Sequence, residues 1–382
     1  MTGVPFRWRW HSPAGERVSL RVILDAWKAG SEASQEWIGF DSGTSALAAA
    51  LAFGQERLSS DRRVALPAYS CPSLVSAALF AGLEPVFLDC EPDALSPGPA
   101  RYQRAIAGGC SLLVLVDLFG IPAPVEELLT PSPSSSTWLV HDRAQSLCAP
   151  GIPINPGAHA VVSSFGRGKP VTLLGGGAVA CREHEEFRRF VEARYPLQRW
   201  NRAYGLARAG LYDLALTPAL YGLIARLPGL GLGDARLVRL SRITRLAVSL
   251  LGAAAEQARI VMAADDRHVE RCRTLSHMAA EASYREPHHV ASAYRPCAVN
   301  RFPLLCASEA HAESLYERGR RLGISRMYRR TLPEFLGRSA SDAARNFPNA
   351  YDLSRRIVTL PTHSRLSRSE LSDVQDVLNA CR

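Results

Sequence analysis

The sequence predicts an α/β fold: a mostly parallel, seven-stranded sheet with helices on both faces, plus a smaller α+β C-terminal domain. Two observations carry this. Short, nearly unbroken apolar runs recur through the first half of the chain, and such runs suit strands buried on both faces. Between them lie segments of helical apolar spacing, and repeated strand–helix alternation is the pattern of a covered parallel sheet.

Taken in order, RVSLRVILDAWKA (17–29) has helical spacing. WIGF (37–40) reads as a strand that leads into a helix at GTSALAAALAFG. RVALP (63–67) is a second strand, with a helix expected over 72–82. PVFLD (85–89), SLLVLVDLFG (111–120), TWLVHD (137–142) and HAVVSSF (159–165) read as strands, and GGGAVAC (175–181) as one more after a glycine turn. The Pro/Ser tract at 131–136 reads as a surface loop. Residues 184–235 break the pattern. Arg188, Arg189, Arg194, Arg199, Arg202 and Arg208 precede an apolar stretch at 214–225. This reads as an amphipathic helical insertion packed on the body or on a partner subunit. The other reading is a surface that touches an acidic membrane leaflet. A long helical region is expected from 236 to about 284. Then come a strand (VNRFPLLC), a helix (308–322), two strands (GISRMY and RRIVTLP) and a final helix (367–381). The expected division is a large domain over 1–235, including the insertion at 184–235, and a smaller one over 236–382. A chain of 382 residues suits such a pair.

Composition narrows the function classes. The formal net charge of +9 points to an anionic partner. The basic residues are scattered, without zinc-finger spacing or a basic–aromatic signature, which argues against nucleic acid. Only two residues are lysine, Lys28 and Lys169; the rest of the basic set is arginine. Arginine stays protonated and forms no stable imine, which singles out a lysine kept in such company. Nine cysteines without a C-x-x-C pair fit reduced thiols. The first residues lack the apolar segment of a secretory signal, and no apolar run reaches 18 residues. A cytoplasmic protein without a membrane span is expected. His288-His289 has no carboxylate or cysteine at ligand spacing, so no metal is expected.

Four features carry chemistry. Gly43-Thr44-Ser45 stands at a strand-to-helix junction, where N–H groups and hydroxyls form either an anion site or a plain helix cap. Asp142-Arg143-Ala144-Gln145 follows an apolar strand, where ligands of parallel sheets bind. A carboxylate there can keep a pyridine nitrogen protonated, or serve as a turn residue. Ser163-Ser164-Phe165-Gly166-Arg167-Gly168-Lys169 ends another strand. A lysine on a tight Gly-flanked loop can present a desolvated, nucleophilic amine. Gly175-Gly176-Gly177 then permits close backbone approach or positive φ.

This ordered set, S-F-G-R-G-K-P-V-T-L-L-G-G-G-A with D-R-A-Q-S and G-T-S-A-L upstream, resembles the DegT/DnrJ/EryC1/StrS family of pyridoxal-phosphate-dependent sugar aminotransferases. V-A-L-P-A-Y-S-C-P-S and A-G-L-E-P-V-F-L-D extend the resemblance over roughly 36–182, and R-F-P-L-L and R-R-I-V-T-L-P-T-H carry it weakly further. The resemblance implies a type I PLP fold and a homodimer with active sites at the subunit interface. It implies Lys169 as the Schiff-base lysine, Asp142 as partner of the pyridine nitrogen and Gln145 near the ring hydroxyl. Gly43, Thr44, Ser45 and Ser164 match the phosphate cradle, and Arg242 an arginine that reaches the neighbouring subunit's site. Three positions depart from the pattern. Cys71 stands where an aromatic ring commonly stacks on the cofactor, so either Cys71 or another side chain, such as Tyr69, covers that face. Leu240 replaces an asparagine, and Met327-Tyr328 replaces a His-Tyr pair that helps hold the sugar.

The activity so implied is transfer of an amino group from glutamate or glutamine to a ketosugar, nucleotide-linked or otherwise anionic, for polysaccharide or glycoside assembly. Two alternatives stand beside it. One is a sugar dehydratase, a branch in which histidine replaces the lysine, so Lys169 argues against it. The other is a non-catalytic assembly protein, membrane-peripheral through 200–230. The sequence does not name the sugar, the carbon aminated or the stereochemistry.

Overall fold

The structure, a computed structural model, describes residues 36–58, 62–128, 137–149, 157–198, 235–288 without 264, and 299–382 without 365, with 207, 210, 211 and 214 besides. The predicted helix at 17–29, the tract at 131–136, most of 199–234 and His289 lie outside the described residues.

The large sheet holds β1 (Trp37–Phe40), β2 (Arg63–Pro67), β3 (Glu84–Leu88), β4 (Leu112–Val116), β5 (Trp138–Asp142), β6 (Ala160–Ser164) and β7 (Gly177–Cys181). Its order is β1-β7-β6-β5-β4-β2-β3. Strands β2 to β6 are parallel, and β7 runs antiparallel to both β6 and β1. The helices between are α1 (Gly43–Leu58), α2 (Ser73–Phe80), α3 (Pro99–Ala107) and α4 (Val125–Leu128). After the sheet come α5 (His184–Arg194), α6 (Val248–Ala263) and α7 (Asp265–Glu281). Then follow β8 (Arg301–Leu305), α8 (Glu309–Gly319), α9 (Leu332–Phe335), α10 (Ala340–Asn346), α11 (Pro348–Arg356), β9 (Ile357–Pro361) and α12 (Arg368–Ala380), with β8 and β9 pairing antiparallel.

The apolar runs are unbroken because the strand pleat feeds two cores. Val114 and Val116 join Val140 and Val162 in one, while Leu113 and Leu115 join Leu139 and Val161 in the other. The first core continues through Phe302, Leu304, Val358, Leu360 and Val374, so the C-terminal elements pack on the same apolar mass. On α5 the apolar face buries Phe187, Phe190 and Val191. Its arginines face Glu: Arg188 pairs with Glu185 at 2.7 Å and with Glu192 at 3.1 Å.

Three expectations change. The helical region does not begin at 236: residues 235–247 are extended or irregular, and helix starts at Val248. The sheet edge competes for this backbone. Asp41 N–H donates to the Thr244 carbonyl at 3.0 Å, and Leu246 N–H to that of Gly39 at 2.9 Å. GISRMY is not a strand; only Ser325 bridges to Thr359, and the chain then turns Arg326 and Tyr328 inward. The run 111–120 is strand only to Val116, after which Leu118–Gly120 forms a 3-10 turn with Phe119 at φ +59°.

Candidate active site

Strands β4, β5 and β6 end side by side, with Val116 opposite Asp142 and Asp142 opposite Val162. The loops that follow enclose a cavity of about 170 Å³. This is the carboxyl-end crevice where open α/β sheets bind ligands.

Part of the cavity lining has the make-up of an anion cradle. Ser42, Gly43, Thr44 and Ser164 line it, at the N-terminus of α1. A helix start offers unpaired N–H groups and the positive end of its dipole. Glycine is needed here by contact. A Cβ on Gly43 would lie 2.6 Å from Ser164 Cβ, and one on Gly177 2.6 Å from Gly43 Cα. Hence α1 can start against β6 and β7 only if both residues lack side chains. Ser45 is fully buried and is not among the residues that line the cavity. Its amide donates to Ser42 Oγ at 3.0 Å, and its own Oγ accepts from Ser42 Oγ at 2.9 Å. Ser42 takes the lining position, a role that D-S-G-T-S allowed but the helix-start reading passed over.

Asp142 and Gln145 line the same cavity. Asp142 Oδ1 accepts the Ala144 amide at 2.9 Å. Burial pushes the Asp142 carboxyl above the usual carboxylate range; the Ala144 amide, Lys169 and His141 pull the other way without cancelling it. Gln145 Oε1 accepts the Phe119 amide at 3.2 Å, and Nε2 donates to Tyr328 Oη at 3.2 Å. Tyr328 is buried and stacks on Phe119 with ring planes 12° apart, so it orders Gln145 from the C-terminal half. Met327 faces elsewhere, into a cavity of about 440 Å³ that Arg236, Arg329 and Arg330 also line.

Lys169 stands on the loop between β6 and β7. Leu173 and Gly175 both donate their amides to the Phe165 carbonyl, at 2.9 and 3.1 Å, which closes that loop. Thr172 N–H donates to Gln257 Oε1 at 2.9 Å, and Asn300 Nδ2 to the Gly168 carbonyl at 3.1 Å. Asn300 and Gln257 went unnoticed in the sequence because nothing local marks them. Burial holds the Lys169 ammonium below the ordinary lysine value, and Arg301 adds to this; Cys71 and Asp142 oppose it.

Cys71 lines the cavity and donates its thiol hydrogen to Ser73 Oγ at 3.2 Å. Tyr69 does not line it; its ring is fully buried, edge-on to Tyr328. Of the two residues considered for the ring face, only Cys71 is at the cavity. Arg242 is exposed on the 235–247 segment and lies outside the lining. The structure therefore gathers Gly43, Thr44, Cys71, Asp142, Gln145, Ser164 and Lys169, and leaves out Ser45 and Arg242. Among the described residues no three His, Cys, Asp or Glu side chains gather as a metal site, and no helix is long and apolar enough to cross a membrane.

A mostly parallel seven-stranded sheet with a lysine, a carboxylate and a helix-start cradle at its carboxyl ends defines a type I fold of the PLP-dependent transferases. Residues 32–206 match the model of the DegT/DnrJ/EryC1/StrS aminotransferase family, so the resemblance seen in the motifs holds. No curated protein matches the sequence. Solved structures similar to this chain include CalS13, a sugar aminotransferase from Micromonospora echinospora, with TM-score 0.69 and 16% identity over 98% of this chain and 100% of that one. PseC from Helicobacter pylori, an aminotransferase of pseudoaminic acid biosynthesis, has TM-score 0.68 and 16% identity over 97% and 98%. The sugar aminotransferase Spr1654 from Streptococcus pneumoniae, in its PLP form, has TM-score 0.65 and 15% identity over 97% of each chain. At these identities the likeness is one of fold.

Proposed function

We propose that this chain is a PLP-dependent aminotransferase that passes an amino group from glutamate or glutamine to a ketosugar, nucleotide-linked, for polysaccharide or glycoside assembly. One observation carries the reading: Lys169 and Asp142 line a single cavity together with the start of α1. The donor set matches the cofactor's parts. Thr44, Ser42, Ser164 and the first amides of α1 suit a phosphate ester. Asp142 suits a protonated ring nitrogen. Burial raises its carboxyl against the partial opposition of Lys169 and His141, so a ring cation opposite it would favour the charged form further. Gln145 suits the ring hydroxyl, and Cys71 stands at the ring face.

Pyridoxal phosphate, when bound, supplies an aldehyde for amines and a ring that draws electrons from the bond being broken. Lys169 is the base that takes up and returns the proton, since its amine is less basic than an ordinary lysine. Asp142 keeps the ring nitrogen charged, and Gln145 fixes the ring's rotation. Arg236 and Arg330, which line the second cavity, supply positive charge for an anionic sugar substrate, while Arg329 there is paired with Glu313 at 2.9 Å. In a cytoplasmic homodimer, exposed Arg242 would reach the partner's cavity.

The test is spectroscopic. Protein purified with pyridoxal phosphate is yellow, borohydride fixes the cofactor on Lys169, and glutamate bleaches the visible band. A protein that takes up no cofactor sinks the proposal. One that binds cofactor yet responds to no amino donor sinks the aminotransferase reading and leaves a binding protein.

A further inference from the structure

Asp117, just past β4, is not part of the cavity wall, yet it touches most of the segment that carries Asp142 and Gln145. Its side chain is buried, accepts three hydrogen bonds and pairs with a guanidinium. Oδ1 accepts the Ala123 amide at 2.9 Å and His141 Nε2 at 2.7 Å. Oδ2 accepts Ser146 Oγ at 2.7 Å and stands 3.4 Å from Arg143 Nε. The Asp117 amide donates to the Asp142 carbonyl at 3.0 Å. Two residues on, the Phe119 amide donates to Gln145 Oε1. One turn therefore grips His141, Asp142, Arg143, Gln145 and Ser146.

The consequence follows from geometry. Neighbouring side chains of a strand point to opposite faces, so a grip on His141 from behind fixes the direction of Asp142. A glutamine amide has two orientations of nearly equal shape, and its neighbours choose between them. The Phe119 N–H can meet only the oxygen. It thereby turns the Gln145 NH₂ inward, where one hydrogen meets Tyr328 Oη and the other is left for the cavity. Phe119 reaches this position in the left-handed region, at φ +59°, a conformation a bulky residue holds only where its surroundings impose it. Its carbonyl accepts the Asn300 amide at 2.9 Å and its ring lies on Tyr328, so the turn is held from both sides.

We propose that Asp117, with the Phe119 turn it begins, is the positioning residue of this site: it aims the Asp142 carboxylate and sets Gln145 as an N–H donor toward the ligand. The inference rests on the reading of the cavity as a pyridoxal-phosphate site. Burial alone would raise the Asp117 carboxyl, but His141, Arg143 and the Ala123 amide outweigh it and hold it below the usual value, so the grip is that of an anion.

Asp117→Asn keeps the shape and the Oδ1 contacts but turns an NH₂ onto Ser146 and Arg143. The comparator is Asp89→Asn. Asp89 is also buried, but its carboxylate accepts the Cys90, Asn349 and Ala350 amides away from the cavity. Three quantities are read in each protein: thermal midpoint, dissociation constant for pyridoxal phosphate, and the pH midpoint of the bound cofactor's visible band. Asp117→Asn should weaken binding by about tenfold to a hundredfold. It should also raise the pH midpoint. A slack Asp142 leaves the ring nitrogen less charged, and a slack Gln145 no longer donates to the ring oxygen; both let the lysine-linked nitrogen keep its proton to higher pH. Besides Asp142, the charged or titratable groups around Lys169 are Cys71 and Arg301, and neither variant alters them. Asp89→Asn should lose thermal stability without either change. Ser146→Ala removes one donor and keeps the charge, so it should move both cofactor readouts the same way by less; it serves if Asp117→Asn does not fold. Wild-type cofactor affinity and pH midpoint in Asp117→Asn, or in Ser146→Ala should it stand alone, overturn the inference. So does an equal shift in Asp89→Asn. A wild-type protein that takes up no pyridoxal phosphate overturns the functional reading itself.

Discussion

Gly177→Ala tests the anion cradle at its tightest point. The new Cβ would lie 2.6 Å from Gly43 Cα, 2.7 Å from Gly43 N and 2.7 Å from Ser42 O. All three are backbone atoms at the start of α1, so no side-chain rotation relieves the clash. Ordinary contact begins at 3.4 Å, so β7 and the helix start must part by about 0.8 Å (3.4 − 2.6). Overpacking of this kind costs about 1–3 kcal/mol. The displaced atoms are the cradle itself, so the cost should reappear in binding as a loss of roughly tenfold to a hundredfold in pyridoxal-phosphate affinity. Gly82→Ala separates strain from position. Gly82 has positive φ (+72°), which Gly177 does not, and nothing lies within 4 Å of a Cβ there. It should cost about 1 kcal/mol of stability through the left-handed backbone alone. Absorbance titration with the cofactor and thermal melts on both variants give the answer. If Gly177→Ala loses stability as Gly82→Ala does but binds cofactor like the wild type, the cradle is elsewhere.

Three further outcomes follow from the site. In cofactor-free protein, Lys169→Met removes an ammonium that the fold disfavours. The folded chain releases that proton at lower pH than the unfolded chain, so wild-type stability rises with pH between the lowered value and the ordinary 10.5. The variant lacks this rise, and its advantage in urea melts should be greatest below the window and fade through it; a difference flat with pH contradicts the depressed amine. Asp142→Asn keeps the Ala144 contact but not the charge, and should slow the bleaching by glutamate by about a hundredfold or more in stopped flow; an unchanged rate removes Asp142 from the chemistry. Cys71 and Cys381 are the half-buried thiols among the described cysteines. Pyridoxal phosphate should protect Cys71, and not Cys381, from iodoacetamide in peptide mapping; equal labelling with and without cofactor puts Cys71 off the ring face.

The features legible in the sequence were those a local pattern encodes. Strands β2, β4, β5 and β6 read correctly because both faces of a central parallel strand are buried, which leaves a nearly unbroken apolar run. Lys169, Asp142 and Thr44 were legible because each sits at a strand end or helix start, where the fold exposes side chains to a ligand. The misreadings share one cause. The segment 235–247 has helical composition but sits where the β1 edge offers backbone partners, and tertiary hydrogen bonds outweighed a weak local preference. Ser45 and Ser42 are both hydroxyls beside the same glycine, and only the three-dimensional helix start decides which one faces out. Asp117 was hidden inside an apparent strand, SLLVLVDLFG, as one of its residues. It is instead the point where the strand stops. Its partners His141, Arg143 and Ser146 lie 24 to 29 residues away, a separation that no periodicity encodes. The residues that meet a ligand are thus marked by local geometry. Those that aim them are marked only by contacts across the fold, and the position of Asp117 behind Asp142 makes the second kind as consequential as the first.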